Sequence, residues 1–265
     1  MLHKINTYFW YFYEYIKHGD IRSVFASVRY LTGKKSHSKD RIIPTSVGLF
    51  FCRKNTNDFQ FANLRYEWGV KSFIMNRIHE YTVFVDAGSC IGVYAILTAK
   101  KHLRTIAFEP IESNYDVLVK NLRLNNLEDE VKAFKVGLGD QNKMVQFSFD
   151  QVNTGASHLG TENNGGGCMV ELRTFDSFLP ELNLDTSSNI LFKMDVEGME
   201  IEALQGAVNF LRHYPNITLV VEEKITGQAK IKHFLDELGT FEYGMIDRYN
   251  MFARKVTKLN HQGSI

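Results

Sequence analysis

From Val83 to Val221 the chain alternates short apolar runs with segments whose apolar residues recur at helical spacing. Val83-Phe84-Val85, Thr105-Ile106-Ala107-Phe108, Val131–Val136, Ile190-Leu191-Phe192 and Ile217–Val221 are β-branched and aromatic runs of strand length. Between them, the stretch after Gly92 reads as helix to about Lys101. A second helix, capped by Ser113, carries Val117, Leu118 and Leu122, and a third carries Ile201, Leu204, Val208 and Leu211. Strand–helix alternation of this kind predicts a doubly wound, mostly parallel α/β sheet covered on both faces. Residues 228–238 add a helix, and Phe241–Met245 with Tyr249–Arg254 predict two antiparallel strands closing the sheet.

The flanks read differently. Residues 1–33 are aromatic-rich, and Ile21, Val24, Phe25, Val28 and Leu31 fall at amphipathic helix spacing. This helical extension would pack on the rest of the chain or on a dimer partner, or lie on a membrane with Lys17, Arg22 and Arg29 facing lipid phosphates. A polar linker at 34–40 ends the extension, residues 41–62 suggest a hairpin, and Tyr66–Gly69 lead into a helix to about Arg77. The main domain is thus expected over 41–258, with a disordered tail at 259–265. From Val145 the chain takes a detour of about forty residues, too long for a plain connection.

Composition narrows the partners. The 265 residues carry a net charge of +1, which gives no general argument for nucleic acid. The charge is uneven, since residues 1–41 hold eight Lys/Arg against three Asp/Glu. Cys52, Cys90 and Cys168 form neither a disulfide framework nor a zinc pattern, which fits a reducing compartment. No run reaches eighteen apolar residues and the N-terminus does not read as a signal peptide, so a cytoplasmic protein is expected, with peripheral membrane contact through 1–33 an option.

The chemistry concentrates at Asp86-Ala87-Gly88-Ser89-Cys90-Ile91-Gly92, a strand-to-helix turn with an acid and two glycines. Such a turn lets backbone N–H groups and a helix N-terminus meet a ligand. Glu109 ends the next strand, where an acid accepts hydrogen bonds from ribose hydroxyls. A dinucleotide would want a glycine where Cys90 stands, and Asp86 would repel its pyrophosphate. S-adenosylmethionine suits both positions better, because Asp86 can pair with its ammonium group. The loop Gly137-Leu138-Gly139-Asp140, after the third strand, would border the adenine.

These motifs resemble the FkbM family of S-adenosylmethionine-dependent methyltransferases. The family's Asp-Val-Gly-Ala-Asn-x-Gly stands here as residues 86–92, with Ser89-Cys90 in place of Ala-Asn. Its Phe-Glu-Pro followed by an Asn-rich helix stands as Phe108-Glu109-Pro110 with Asn114, Asn121 and Asn125. Its Lys-x-Asp-Val-Glu-Gly stands as Lys193-Met194-Asp195-Val196-Glu197-Gly198. A shorter stretch, Glu171–Leu179, is similar to the family's Thr-Leu-Asp region and reads as a strand and a short helix capped near Asp176. The resemblance covers about residues 80–224. It implies a class I, Rossmann-like fold, with S-adenosylmethionine as cofactor and S-adenosylhomocysteine as product. The cofactor contacts it implies are Asp86, Gly88, Ser89, Cys90, Gly92, Glu109, Pro110, Asn114, Gly137, Leu138 and Asp195, with Glu67 as the acid expected upstream of the first motif.

Catalysis would fall to the charged strand tip. Strand alternation puts Lys193, Asp195 and Glu197 on one side if the extended conformation persists, where they could orient a hydroxyl or accept its proton. Glu222, at the end of the next strand, is a further candidate. His158 lies in the detour, where the family carries a substrate-side insertion (about 150–170), and its near-neutral imidazole suits proton removal. Two neighbouring carboxylates alone do not establish a metal. The resemblance implies methyl transfer to a sugar hydroxyl of a surface polysaccharide or glycoconjugate. The alternatives are a small-molecule (lipid or antibiotic) O-methyltransferase, an NAD-dependent oxidoreductase, and a non-catalytic scaffold with a relic pocket.

Overall fold

The computed structural model describes residues 2–33, 36–149, 152–155, 157–159 and 167–256. The chain opens with helices α1 (Leu2–Lys17) and α2 (Ile21–Gly33), which form a hairpin against the main body. Strands β1 (Arg41–Pro44) and β2 (Leu49–Cys52) make the expected antiparallel hairpin, followed by α3 (Asp58–Phe61) and α4 (Trp68–Arg77). The central alternation then runs β3 (Val83–Ala87), α5 (Val93–Ala99), β4 (Arg104–Phe108), α6 (Glu112–Leu124) and β5 (Val131–Phe134).

The detour is a small sheet of its own. It contains β6 (Gly137–Leu138), β7 (Lys143–Phe149), β8 (Ser157–Leu159) and β9 (Gly167–Arg173), in the order β6-β9-β7-β8. After α7 (Leu179–Leu182) the main sheet resumes with β10 (Ile190–Met194), α8 (Glu200–Gln205), α9 (Val208–His213) and β11 (Ile217–Glu222). Helix α10 (Gln228–Asp236) and the antiparallel pair β12 (Phe241–Met245) and β13 (Asn250–Lys255) finish the chain. The expected disordered tail and the glycines at 165 and 166 lie outside the described residues.

The seven-stranded sheet has the order β12-β13-β11-β10-β3-β4-β5. Pairings from β11 through β5 are parallel, and β13 joins antiparallel to β11. The chain therefore winds outward from β3 in one direction and, starting from β10, in the other. Strands β3 and β10 adjoin at this switch point, where an open α/β sheet leaves a crevice beyond its strand ends. Burying all five residues of β3 and of β10 on two faces explains their unbroken apolar character before the charged tips. Phe108, Phe175, Phe178, Phe192 and Phe210 interlock on one face of the sheet, and the α1–α2 hairpin shares a second cluster with β2 and α5.

Three local expectations are corrected. Ser113 does not cap α6: it is an exposed residue inside the helix, and the N–H of Ile111 at the cap is bound instead by the Glu109 carboxylate at 3.0 Å. Asp176 does not cap its own short helix, which Thr174 caps; it accepts from the N–H groups of Asn209 and Phe210 in α9, at 2.8 and 2.9 Å. In α2 only Val24 of the described apolar row packs on the body. Ser23, Ala26 and Ser27 are buried, while Ile21, Phe25 and Val28 are exposed. Small residues let the helix backbone approach closely, so they take the inner face. Among the described residues no helix is long and apolar enough to cross a membrane.

Candidate active site

A cavity of ≈ 240 Å³ opens over the carboxyl ends of β3, β4 and β10. Its wall begins with the turn after β3. Gly88 adopts φ +83°, and a Cβ there would overlap the backbone carbonyl oxygen of Asp195, so only glycine lets the first and third motifs touch. The Asp195 N–H also donates to Ala87 O at 3.1 Å. Gly92, at φ +86°, makes room for Leu118 and lets α5 start, but does not line the cavity.

Glu109 ties this turn to the next element. Its carboxylate accepts from Cys90 N at 2.8 Å, Ile111 N at 3.0 Å and Asn114 Nδ2 at 3.4 Å. Burial raises its pKa to about 7 against the pull of those donors. Cys90, at φ +48°, lines the cavity where the related motif carries Asn, a residue that adopts this left-handed conformation more readily. Ser89, Pro110, Asn114, Gly137 and Leu138 line the same wall. Asp140 does not; it pairs with Lys143 at 3.0 Å.

Asp86 is fully buried below the lining, register partner of Lys193 across β3 and β10. Neither carboxylate oxygen has a hydrogen-bond partner, and burial lifts its pKa to about 6 despite the nearby Lys193. It is not among the residues that line the cavity.

The opposite wall holds a linked charge set. Lys193 is buried and pairs with Asp195 at 2.9 Å. Burial works against its charge, but Asp195, Asp86 and Glu67 outweigh it and hold the ammonium above its ordinary pKa. Tyr94 lies between Lys193 and Lys71, whose Nζ atoms are 4.7 and 5.4 Å from its ring centre, and donates to Glu67 Oε2 at 2.9 Å. Lys71 is itself buried, donates to Asn63 O and Tyr66 O, and is lowered by burial to about 8.

The extended conformation expected through Glu197 ends at Met194. Glu197 turns at φ +52° and Gly198 at φ +97°. The turn still brings one oxygen each of Asp195, Glu197 and Glu222 within 4.8 Å of one another. Burial, then Asp195, raises Glu197 to about 7, and the same two causes raise Glu222 to about 8. Three oxygens at this spacing are also a donor set a divalent cation would accept. His158 lies in β8, paired with Ser148, and its side chain is outside the described residues.

Backbone strain marks the same place. Among the described residues, seven non-glycine residues have positive φ, and four of them are Asn or His, which tolerate it. The other three, Glu67, Cys90 and Glu197, all line the cavity.

Several participants were not read from the sequence. Lys71 and Tyr94 look like ordinary helix residues in α4 and α5. Thr154 is clamped over the wall: Asn114 Nδ2 donates to its carbonyl at 2.9 Å, while its hydroxyl donates to Asp58 at 2.8 Å. Arg53 joins Asp58 and Asn114, at 2.8 and 2.9 Å. These contacts of Asn114 and Thr154 span forty to a hundred residues and leave no local pattern.

The lining fits S-adenosylmethionine, a ligand with a sulfonium and an ammonium. Five carboxyl groups (Glu67, Glu109, Asp195, Glu197, Glu222) face three lysines (Lys71, Lys193, Lys224). The unpartnered Asp86 carboxylate adds negative potential behind the turn.

Comparison with known proteins agrees. Methyltransferase sdnD of Sordaria araneosa is 30% identical over 155 residues, 46% of this chain and 59% of that protein, so the chain spans less than two thirds of that relative. Hexuronic acid methyltransferase AglP of Haloferax volcanii is 26% identical over 202 residues, 72% of this chain and 80% of that protein. Among solved structures, the FkbM methyltransferase of Methylobacillus flagellatus superposes with TM-score 0.46 at 18% identity, over 72% of this chain and 53% of that one. The model of the methyltransferase FkbM domain matches residues 86–248, more than half of the chain. The chain therefore belongs to the FkbM-domain methyltransferases, a family of S-adenosylmethionine-dependent enzymes.

Proposed function

We propose that the chain transfers a methyl group from S-adenosylmethionine to a sugar hydroxyl of a surface polysaccharide or glycoconjugate. The observation that carries the oxygen acceptor is the Asp195–Glu197–Glu222 cluster, whose two glutamates are held near neutral pKa facing the cofactor wall. When bound, the cofactor supplies a methyl group on a cationic sulfur. Glu109 would accept the ribose hydroxyls, Gly137 and Leu138 would border the adenine, and Asp86 would hold the methionine end by its charge. Glu67, fixed by Tyr94, would face the sulfonium side.

Asp195 is pinned by Lys193 and orients the acceptor hydroxyl, while ionised Glu197 takes its proton as the oxygen–methyl bond forms and the carbon–sulfur bond breaks. S-adenosylhomocysteine then leaves. The sugar class is supported by the relation to AglP, a hexuronic acid methyltransferase by name.

Titration with S-adenosylhomocysteine and, in parallel, NAD tests the cofactor. Binding of the first alone, weakened about tenfold to hundredfold in Glu109→Ala, is the expected result, that being the effect of losing a charged hydrogen-bond acceptor. Incubation with neutral sugars, uronic acids and small hydroxylated molecules tests the acceptor. An alkali-stable methyl ether on a sugar is expected; an alkali-labile ester would remove the need for a base, and methylation of only the small molecules would replace the sugar reading.

A further inference from the structure

The α1–α2 hairpin carries a surface that the active site does not use. Phe9, Tyr13 and Ile16 recur at i, i+4 and i+7 on α1, and Ile21, Phe25 and Val28 repeat that spacing on α2. All six are exposed, Phe9 at 59% and Phe25 at 65%, so each helix turns one apolar stripe outward. The opposite face is fully committed to the body: Tyr15 donates to Phe59 O at 2.9 Å, and Asn63 Nδ2 donates to Tyr11 O at 3.0 Å.

Charge is sorted across the same hairpin. Its two acids point inward and are 4% exposed: Glu14 accepts from Ser46 N at 2.7 Å and Asp20 pairs with Arg41 at 2.8 Å. Lys17, Arg22 and Arg29 are exposed. Among the described side chains of the hairpin, the exposed Lys, Arg, Asp and Glu are thus all basic. Apolar stripes bordered by cations, with every described acid withdrawn, match the chemistry of an anionic bilayer surface. Tyr8, Trp10 and Tyr13, also exposed, are residue types that settle at the headgroup level. A second copy of the chain is a poorer occupant, because a two-fold contact would set the same cations against each other.

We propose that the α1–α2 hairpin docks the protein on anionic lipid membranes, with Phe9, Tyr13, Ile16, Ile21, Phe25 and Val28 entering the interface. The catalytic body would then sit at the bilayer surface, with no described helix long and apolar enough to cross it.

Flotation of the full chain with vesicles tests this. Binding to vesicles of phosphatidylcholine mixed with phosphatidylglycerol is expected, with weak binding to pure phosphatidylcholine and release at about 0.5 M salt. Phe9→Glu/Phe25→Glu and Arg22→Glu should each lower the bound fraction about tenfold or more, since apolar insertion and charge attraction act together. Met245→Glu, at an exposed apolar residue outside the hairpin, should bind like wild type. Thermal melting of every variant checks that the fold persists. Failure of wild type to float, or undiminished flotation of the Phe9/Phe25 variant, overturns the proposal. A dimer in light scattering that Phe25→Glu converts to monomer also overturns it, by assigning the stripe to a second copy.

Discussion

Glu197 illustrates how a single carboxyl group acquires its chemistry from its position. Burial and Asp195 hold it at about 7, whereas Lys224 pulls it down. A proton acceptor must be ionised, so kcat/KM should rise with pH through about 7 and level off above it. Lys224→Met removes the lowering cation and should move that rise to higher pH, which a pH–rate profile measures directly. The stability consequence has the opposite sense. Glu197 and Glu222 have folded-state pKa values above the ordinary 4.5, so their protonated forms favour the fold. That contribution is complete below about 4.5 and is lost as pH rises through about 7 and 8. The ligand-free protein should therefore melt at lower temperature at pH 8 than at pH 5.5, and Glu222→Gln should flatten the difference. Differential scanning calorimetry across that range checks both statements. The identity of these residues and the nearness of Asp195 to Glu197 were legible in the sequence, since each ends a strand or follows one; the route was not, because Glu197 reaches the cluster through a left-handed turn and not by extended alternation.

At the scale of elements, close approach between loops sets the strictest requirements. Gly206 ends α8 at an ordinary φ of −74°, so conformation alone would admit another residue. Space would not: a Cβ would overlap the carbonyl oxygen of Gly139, in the loop after β6. Gly206→Ala should cost about 1–3 kcal/mol of stability, as overpacking does, and urea denaturation would register it as a lower midpoint at unchanged slope. The central strands β3, β10 and β11 were visible as apolar runs, because strands buried on both faces have little choice of residue. The caps were less visible. Ser113 and Asp176 have the right identity for helix starts, but tertiary partners claimed the roles: Glu109 binds the N–H at the start of α6, and Asp176 reaches across to α9. The α2 stripe was seen correctly as a stripe, yet periodicity cannot tell which face of a helix the body prefers.

Across the whole molecule, topology gathers what sequence keeps apart. The doubly wound order was implied by strand–helix alternation, and the switch point between β3 and β10 follows once the sheet is laid out. The clamp from Arg53 through Asp58 to Thr154 was beyond sequence reading, since nothing local marks residues that meet only after folding. The β3–β10 junction has a thermodynamic corollary. Asp195 donates its N–H to Ala87 and presses its carbonyl against Gly88, so the tip proposed to meet the acceptor and the turn proposed to meet the cofactor share one backbone contact. Occupancy of either half is then expected to bias the other, and linkage requires any such bias to be mutual. Acceptor should tighten S-adenosylhomocysteine by the same factor by which S-adenosylhomocysteine tightens acceptor, a reciprocity that paired titrations would reveal. On that expectation, the glycine that admits the junction would also be what couples the two binding steps.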